Sequence, residues 1–480
     1  MISSRYVFFG VAVLATMMFS IDGTIVAVAL PTLMHELDTS LVMVGWTLTA
    51  YQLAQTVMMP LAGKLSDTFG RTKVFAICVA VFLIGSLLCG LAPNVYFLIF
   101  FRVVQAIGGG GLMPSAVGVI ADEFPETRPR MIGLFMSMFP IGGIIGPNLG
   151  GFIIEHASWR DVFLINVPLG VIVLATLVRR WQRGEATDRR PVDLLGVGLF
   201  AVAIVSLLLG LTLLGEDVAY FRTAEFWALI VGSILVLAVF VWHERRTADP
   251  VIDPALVARH PFAAVNAYNF LYGACVWGFF SFIPYYAALK FGFSPLESGA
   301  VLTPRSLAMM CTATVSSFLL MRYGYRLPML LGCLFTVTTL LLLGQGWTSL
   351  SLFGFQVSTF WLLAAEVAIG GVGMGLAGPA SNNAALDLVP GRAATVSGIR
   401  SFFRSTGGVL GTASIVLALE LSPDKAAGLQ TVFTVLAFGL LATLPLVFVI
   451  PDTARERAIA TRREAARATL GNPGPVVPRV

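Results

Sequence analysis

Long apolar stretches separated by short polar loops run along the sequence from one end to the other. Most of these stretches are close to the roughly 20 residues that an α-helix needs to cross a bilayer. The pattern predicts an all-α integral membrane protein with fourteen transmembrane helices, grouped as six, two and six. The predicted spans are 7–33, 42–62, 73–91, 95–121, 131–154, 162–180, 194–215, 226–242, 262–289, 299–321, 327–346, 358–386, 394–419 and 429–450.

The composition supports a membrane protein and excludes several other classes. Of the 480 residues, 57% are hydrophobic and 12% are charged, whereas soluble domains are about 25% charged. The predicted spans occupy most of the chain, which leaves no room for a large catalytic domain outside the membrane. The five cysteines lie in apolar stretches and the four histidines are scattered. We therefore expect neither a disulfide framework nor a metal site.

The basic residues predict how the helices are oriented. If the N-terminus is cytoplasmic, 23 of the 31 Lys and Arg residues fall in cytoplasmic loops and tails, and four fall in loops on the other side. This bias follows the positive-inside rule and predicts a multi-pass protein of the cell membrane with both termini in the cytoplasm. It also explains the net charge of +5 without nucleic acid, which we do not expect as a partner.

An internal repeat relates the first six predicted helices to the last six. Positions in the fourth and fifth helices recur 265 residues later, so that Gly108 matches Gly373 and Asp122 matches Asp387. Near the start of each half the shift is 254 residues, which predicts about eleven extra residues in the outer loop around 345–356. Two related halves are typical of transporters with a central site between them. The predicted segments are an N-terminal six-helix half (1–183), a cytoplasmic linker with two extra transmembrane helices (184–260), a C-terminal six-helix half (261–451) and a basic cytoplasmic tail (452–480).

The loop after the second predicted helix combines a helix-ending aspartate, a turn glycine and two cations. The aspartate can interact with a helix N-terminus and a nearby arginine, which would lock two helix ends together. The spacing resembles the signature loop of the major facilitator superfamily, although Thr68 replaces the arginine usual there. The matching positions are Gly63, Leu65, Asp67, Gly70, Arg71 and Lys73. The resemblance implies the major facilitator fold and a role for this loop in gating the inner mouth.

The fifth predicted helix has a face made of glycines. Gly142, Gly146 and Gly150 are four residues apart, so another helix can approach closely there, and Pro147 can bend the helix. This stretch resembles the motif that marks antiporters within the superfamily. Further matching stretches are 21–31, 46–54 and 159–170. The chain resembles the fourteen-helix drug–proton antiporters of the EmrB/QacA type, which implies transport driven by a proton gradient without a cofactor.

Two opposite charges inside predicted spans are candidates for proton coupling. Asp22 lies ~22 Å into the first helix and Arg102 lies ~10 Å from the outer end of the fourth. In a core ~30 Å thick the two are at similar depth. Burial disfavours an ionised carboxylate and a nearby arginine favours it, a balance that suits a proton carrier. A permanent structural ion pair is the alternative. Arg102 and Gln105 also resemble the family's R-x-x-Q-G motif for proton transfer, with Ala106 in place of its glycine.

Polar and aromatic residues in other spans are candidates for substrate contact. Eleven of the thirty residues from 262 to 291 are aromatic, which suits lipophilic ligands. Glu366 lies within one residue of the position that repeats Arg102, and the excess of intramembrane arginines over acids favours neutral or anionic cargo. Two interpretations of Arg400 stand side by side: contact with substrate, and a side chain that extends to the inner membrane surface. The candidate substrate-binding residues are Glu366, Gln52, Gln55, Asn266, Asn269, Tyr272, Trp277, Arg305 and Arg404.

These patterns together predict a proton-coupled multidrug efflux antiporter that exports lipophilic small molecules by alternating access. An exporter of a lipid or an endogenous metabolite on the same scaffold is the alternative. An intramembrane enzyme is not expected, because the spans show no nucleophile–base or metal constellation. We expect a monomer that contacts membrane lipids and uses no cofactor. The sequence leaves open whether an accessory periplasmic protein takes part.

Overall fold

The computed structural model describes a chain that is mostly helical. The described residues are 4–39, 41–181, 193–348, 350–352, 355–420 and 422–453. The start of the predicted linker, 184–192, and the predicted basic tail beyond 453 lie outside them.

The helices follow one another with short connections. The first six-helix region contains α1 (Ser4–Glu36), α2 (Leu41–Phe69), α3 (Arg71–Gly90), α4 (Val95–Glu123), α5 (Arg128–His156), α6 (Asp161–Leu164) and α7 (Asn166–Trp181). The short helix α6 and helix α7 together form the sixth segment of this region. The next helices are α8 (Leu194–Glu216), α9 (Ala224–Glu244), α10 (Pro254–Ala258), α11 (His260–Tyr272), α12 (Gly278–Phe291) and α13 (Pro295–Ala300). The last are α14 (Thr303–Tyr323), α15 (Arg326–Gln345), α16 (Thr359–Leu388), α17 (Ala393–Glu420), α18 (Lys425–Leu441) and α19 (Leu444–Val449). A 3-10 turn (Val218–Arg222) joins α8 to α9, and a π-helical turn (Gly273–Trp277) joins α11 to α12.

Eleven helical segments of the described chain are long and apolar enough to cross a membrane. The predicted number of fourteen is not reached by this criterion, because α2, α14 and α17 are not among the eleven. The structure therefore supports a helical multi-pass membrane protein with eleven candidate spans among the described residues.

The fold is of the predicted all-α class, and one loop contains two short strands. Strands β1 (Leu350–Leu352) and β2 (Phe355–Val357) form a short antiparallel hairpin between α15 and α16. Thirteen residues separate these two helices, whereas four residues separate α3 from α4. The hairpin thus lies in the loop where the repeat predicted extra residues.

The packing of the second six-helix region repeats that of the first. Helices α2 and α3 both pack on α4, and in the same way α14 and α15 both pack on α16. Helix α1 packs on α5, and α11 packs on α17. Two further contacts join the regions: α2 packs on α17, and α5 packs on α14. The α2–α17 contact and the α14–α5 contact are therefore equivalent under an approximate twofold symmetry that exchanges the two six-helix regions.

Glycines permit the closest of these helix contacts. A Cβ at Gly142, Gly146 or Gly150 of α5 would lie within 3 Å of an atom of Ser20, Thr24 or Ile25 on α1. The same contact recurs between α17 and the end of α11 with the π-helical turn that follows it. A Cβ at Gly407 would lie 2.0 Å from the backbone oxygen of Phe270, and one at Gly411 would lie 2.1 Å from that of Ala274.

Glycine also sets the turns before α3 and α15. Gly70 has a φ of 99° and Gly324, its counterpart in the repeat, has a φ of 80°. Side chains with a Cβ rarely adopt this region of φ. Both turns place a charged residue at the start of the next helix, Arg71 in α3 and Arg326 in α15.

The two extra helices, α8 and α9, pack on each other, and α8 packs on both α2 and α17. The Phe200 ring of α8 lies 5.4 Å from that of Phe240 in α9 and 5.3 Å from that of Phe402 in α17. An ion pair joins Lys64 of α2 to Asp249, which follows α9. The extra helices thus cover the line along which the two six-helix regions meet at α2 and α17.

We expect Gly142→Ala to lower the thermal unfolding midpoint of the purified protein and Gly143→Ala to leave it unchanged or slightly higher. A Cβ at position 142 would lie 2.5 Å from the Cβ of Ser20 and 2.9 Å from the backbone nitrogen of Ile21. Overpacking of this kind typically costs ~1–3 kcal/mol. At position 143 no atom lies within 4 Å of the added Cβ, and alanine favours the helix over glycine. Equal midpoints for the two variants, measured in the same detergent, would contradict this packing.

Candidate functional site

A fully buried ion pair lies between α1 and α4. The Nη1 atom of Arg102 is 2.7 Å from Oδ2 of Asp22, and neither side chain is exposed. The predicted similarity in depth is therefore matched by direct contact. Asn94 begins α4 by accepting hydrogen bonds from the backbone N–H groups of Tyr96 and Phe97, which places Arg102 two turns into the helix.

Amide side chains complete the hydrogen bonding of the Asp22 carboxylate. Nε2 of Gln105 donates to Asp22 Oδ1 at 2.8 Å, and Nδ2 of Asn166 donates to the same oxygen at 3.2 Å. Gln105 also accepts from Arg102 Nη1 at 2.7 Å. The carboxylate thus accepts hydrogen bonds from Arg102, Gln105 and Asn166.

Four helices besides α1 support this cluster. Arg102 Nε donates to the backbone oxygen of Thr47 on α2 at 3.3 Å, and its guanidinium carbon lies 3.8 Å from the centre of the Tyr51 ring. On α7, Asn166 donates to the Ser86 hydroxyl of α3 at 3.0 Å. Helix α3 approaches α4 closely because Gly85 has no side chain to meet Gln105. We call Asp22, Arg102, Gln105 and Asn166 the buried acid cluster.

The charges of the buried acid cluster balance each other out of contact with water. One carboxylate and one guanidinium balance each other when the carboxylate is ionised. A proton on Asp22 would remove the charge-assisted bond and leave the Arg102 cation without a counterion. A lone buried cation is costly, so the burial of Arg102 depends on the Asp22 carboxylate.

The predicted signature loop holds the two six-helix regions together. Asp67 accepts from Nε of Arg71 at 2.8 Å through Oδ1, and from the backbone N–H of Thr395 at 2.8 Å through Oδ2. Arg71 Nη2 donates to the backbone oxygen of Gly391 at 2.7 Å. A Cβ at Gly63 would lie 2.5 Å from the backbone oxygen of Ala394. The loop between α2 and α3 is therefore bound to the segment that begins α17. Lys73 lies in the first turn of α3.

A second set of contacts joins the regions at the same end of the bundle. Asp387 of α16 forms an ion pair with Arg128 of α5 and accepts at 2.8 Å from the Tyr325 hydroxyl. Its counterpart in the repeat, Asp122, instead pairs with Arg71 of its own region. We call the contacts of Asp67, Arg71, Arg128 and Asp387 the inter-half latch. In this structure the latch is closed.

Several predicted substrate residues meet in the C-terminal region. Asn269 Oδ1 accepts from Arg400 Nη1 at 3.1 Å and from the Ser381 hydroxyl at 3.1 Å. Arg400 is 1% exposed, so snorkelling to a membrane surface, one of the two sequence interpretations, was wrong. The guanidinium carbon of Arg404, one turn further along α17, lies 5.2 Å from the Trp277 ring centre.

The other predicted substrate residues do not join one group. Glu366 is buried, and its Oε1 has no hydrogen-bond partner among the described residues. The guanidinium carbon of Arg305 lies 4.6 Å from the ring centre of Phe280. On α2, Gln52 is exposed and Gln55 is partly buried. The remaining candidates are buried in the C-terminal region, namely Asn266 and Tyr272.

Sequence reasoning missed some residues of the buried acid cluster and its surroundings. Asn166, Ser86 and Thr47 received no role, although each is a polar residue in an otherwise apolar stretch. That signal could have suggested them, because buried polar groups need hydrogen-bond partners. The contact of Thr395 with Asp67 had no such signal, since it uses a backbone N–H group.

Comparisons with known proteins place the chain in a family. The Major Facilitator Superfamily model matches residues 12–412. The multidrug transporter protein MdtP of Bacillus subtilis is 33% identical over 402 residues, which cover 83% of this chain and 72% of MdtP. The multidrug resistance protein B homolog of Mycobacterium tuberculosis is 32% identical, over 87% of this chain and 77% of that protein. The tetracenomycin C resistance and export protein of Streptomyces glaucescens is 30% identical, over 85% and 76%.

A solved structure agrees with the fold. The chain superposes on the human organic anion transporter MFSD10 (TETRAN) with a TM-score of 0.67 at 14% sequence identity, over 92% of this chain and 99% of that one. At this identity the likeness concerns the fold alone. The family match over most of the chain, together with the relatives that share about a third of its residues, shows that this multi-pass membrane protein is a transporter of the Major Facilitator Superfamily.

Proposed function

We propose that the protein is a proton-coupled antiporter that exports lipophilic small molecules across the cytoplasmic membrane by alternating access. In this proposal α2, α14 and α17 also cross the membrane, which gives fourteen spans, and both termini are cytoplasmic. The names of the relatives support drug export, since they include multidrug transporters and a resistance and export protein. The proposal places the protein with the fourteen-helix drug–proton antiporters.

The observation that carries the proposal is the buried acid cluster. Asp22 is the acid of a fully buried ion pair, and charged groups inside a membrane are expensive unless they serve a function. When Asp22 is ionised, the pair with Arg102 holds α1 against α4. When Asp22 binds a proton, that attraction is lost and another conformation is favoured. Proton binding and helix movement are then linked.

The inter-half latch supplies the second element of alternating access. With cytoplasmic termini, the latch lies at the cytoplasmic end of the helices, because α2 ends and α3 begins there. A closed latch then corresponds to the conformation that is shut toward the cytoplasm. Cargo would load after the latch opens, and the proton would enter from the other side.

Asp22→Asn should abolish proton release on substrate binding while the purified protein still binds a neutral substrate. The amide keeps the size of the side chain but neither binds nor releases a proton in the pH range where a carboxyl group titrates. The measurement is the pH change of a weakly buffered protein solution when substrate is added. Asp217→Asn, in the loop between α8 and α9, is the matched control and should release protons as the wild type does.

A folding defect can be separated from a coupling defect. Removing one partner of a buried ion pair typically costs ~3–5 kcal/mol, so Asp22→Asn is paired with a double variant, Asp22→Asn with Arg102→Gln. The double variant leaves no unpaired charge and should also release no protons. Normal proton release by either variant would exclude Asp22 as the proton carrier.

Asp67→Asn should open the inter-half latch and shift the population toward the inward-open state. The amide loses the charge-assisted bond to Arg71, and such bonds contribute ~1.5–3 kcal/mol. In a cysteine-free background, Ser405→Cys reports the opening, because the Ser405 hydroxyl contacts Met59 of the other region. We expect the rate of alkylation by N-ethylmaleimide to rise about fivefold or more.

Asp122→Asn is the control for the latch, since Asp122 also pairs with Arg71 but lies in the same region. Its effect on the alkylation rate should be smaller than that of Asp67→Asn. Equal rates in the wild type and Asp67→Asn would show that Asp67 does not hold the latch closed.

Glu366→Gln should reduce the export of cationic substrates more than that of neutral ones. Removing this buried carboxylate leaves the C-terminal region with arginines and makes it more positive, which disfavours cations. The measurement is efflux of a panel of charged and neutral substrates at equal expression, with Glu225→Gln at the start of α9 as the control. Equal loss for all substrates would instead assign Glu366 to coupling, and no loss would remove it from both roles.

A further inference from the structure

Arg400 is a buried cation without a buried acid beside it. Its side chain is 1% exposed, and within the described residues its one hydrogen bond joins Nη1 to Asn269 Oδ1 at 3.1 Å. Its Nε has no hydrogen-bond partner among the described residues. Arg400 also forms no ion pair with any of the described residues. One turn further along α17 lies another cation, Arg404.

The contrast with Arg102 indicates what is missing around Arg400. Arg102 is equally buried, but Asp22 balances its charge at 2.7 Å. A guanidinium stays protonated in proteins, and an ion without a partner in a low-dielectric interior costs several kcal/mol. Arg400 therefore has an electrostatic demand for an anion that the surrounding protein does not meet.

The helices that carry Arg400 and Asn269 hold further polar groups that can donate hydrogen bonds. Asn269 Oδ1 already accepts from both Arg400 and the Ser381 hydroxyl, so its acceptor capacity is used. Several other buried polar side chains of α11 and α17 have atoms without a hydrogen-bond partner among the described residues: Asn266, Tyr268, Ser397 and Ser401. Hydroxyl, amide and guanidinium donors are the groups that bind an oxyanion.

Aromatic rings continue the site along α11 and α17. The Tyr268 and Tyr272 rings stack with their centres 5.6 Å apart and their planes at 24°. One turn from Arg400, the guanidinium carbon of Arg404 lies 5.2 Å from the Trp277 ring centre. Rings of this kind favour a ligand with a flat apolar body. The second cation, Arg404, adds to the preference for a negatively charged ligand.

We propose that Arg400 binds the carboxylate of a lipophilic aromatic acid, which the protein carries as cargo. This inference rests on the proposed export function and names a substrate class for it. Helix α17 also forms the contact with α2 that closes the bundle, since a Cβ at Gly398 would lie 2.3 Å from the backbone oxygen of Met59. When the two helices separate, the segment around Arg400 becomes reachable from the side where an exporter loads.

The test compares three ligands that share a naphthalene body and differ in charge: 2-naphthoate, 2-naphthamide and 2-naphthylmethylammonium. Binding to the purified full-length protein is measured by titration calorimetry. The wild type should bind the carboxylate more tightly than the amide, and the amide more tightly than the cation. Arg400→Gln should weaken binding of 2-naphthoate about tenfold or more, since a hydrogen bond to a charged group contributes ~1.5–3 kcal/mol. Its affinity for 2-naphthamide should change less than about threefold.

Two further variants keep the result interpretable. Arg400→Lys retains the cation but loses the planar fork, so it should preserve the preference for the carboxylate at reduced affinity. This variant also serves if Arg400→Gln does not purify as a folded protein. Arg246→Gln is the matched control, because Arg246 is an exposed arginine over the Trp242 ring at 4.1 Å. It should bind all three ligands as the wild type does.

Three results would overturn the proposal. The first is equal affinity of the wild type for the carboxylate and the amide. The second is a parallel loss of both ligands in Arg400→Gln. The third is competition by chloride for 2-naphthoate in the wild type but not in Arg400→Gln, which would assign the site to an inorganic anion.

Proton-driven export of 2-naphthamide by wild-type vesicles tests the proposed function separately. If this export is absent while 2-naphthoate binding depends on Arg400, the anion site stands and the antiport function fails. If export is present while Arg400→Gln binds 2-naphthoate normally, the function stands and the anion site fails.

Discussion

A charge between membrane-spanning helices must be balanced by an opposite charge or by hydrogen bonds, because water is not available to solvate it. This constraint shapes the N-terminal region around Asp22 and Arg102, which are fully buried and paired at 2.7 Å. Gln105 and Asn166 both donate to the other oxygen of the carboxylate. The cluster draws on α1, α4 and α7 at once, so any change in its charge acts on three helices together.

The helices approach each other closely enough to bury these charges because glycines lie at their contacts. Gly85 lets α3 reach α4 at Gln105, and Gly146 lets α5 reach α1 beside Thr24. In membranes the hydrophobic effect does not drive helices together, so close backbone contact and interhelical hydrogen bonds do. The repetition of these contacts at Gly407 in the second region shows that one packing scheme serves both. Side chains can then diverge without changing the framework.

The approximate helix positions and the similar depth of Asp22 and Arg102 could be predicted from the sequence because they depend on length alone, and the repeat could be predicted because the same residue types recur at a fixed shift. Apolar length marks a span, and the rise per residue gives the depth of a charge within it. The burial of Arg400 could not be predicted, since depth does not distinguish an arginine facing other helices from one reaching a surface. The bond from the Thr395 backbone to Asp67 was also beyond prediction, because every residue except proline has the same donor. The predicted count of fourteen spans is not confirmed, since α2, α14 and α17 are not among the eleven candidate spans of the described residues.

The two six-helix regions share a framework but differ in how their buried arginines are balanced. Arg102 has a carboxylate beside it, whereas Arg400 has an amide oxygen that it shares with a hydroxyl. In our proposals the Asp22 carboxylate binds and releases a proton. The Arg400 guanidinium, which has no carboxylate beside it, binds and releases an anion. A transporter that couples two ligands needs separate sites whose occupancies act on the same moving helices. Helix α17 touches α2 and α4, so a ligand at Arg400 and a proton at Asp22 would act on one connected set of helices. In our proposals the twofold framework supplies the movement, and the difference in buried charge assigns protons to one region and cargo to the other.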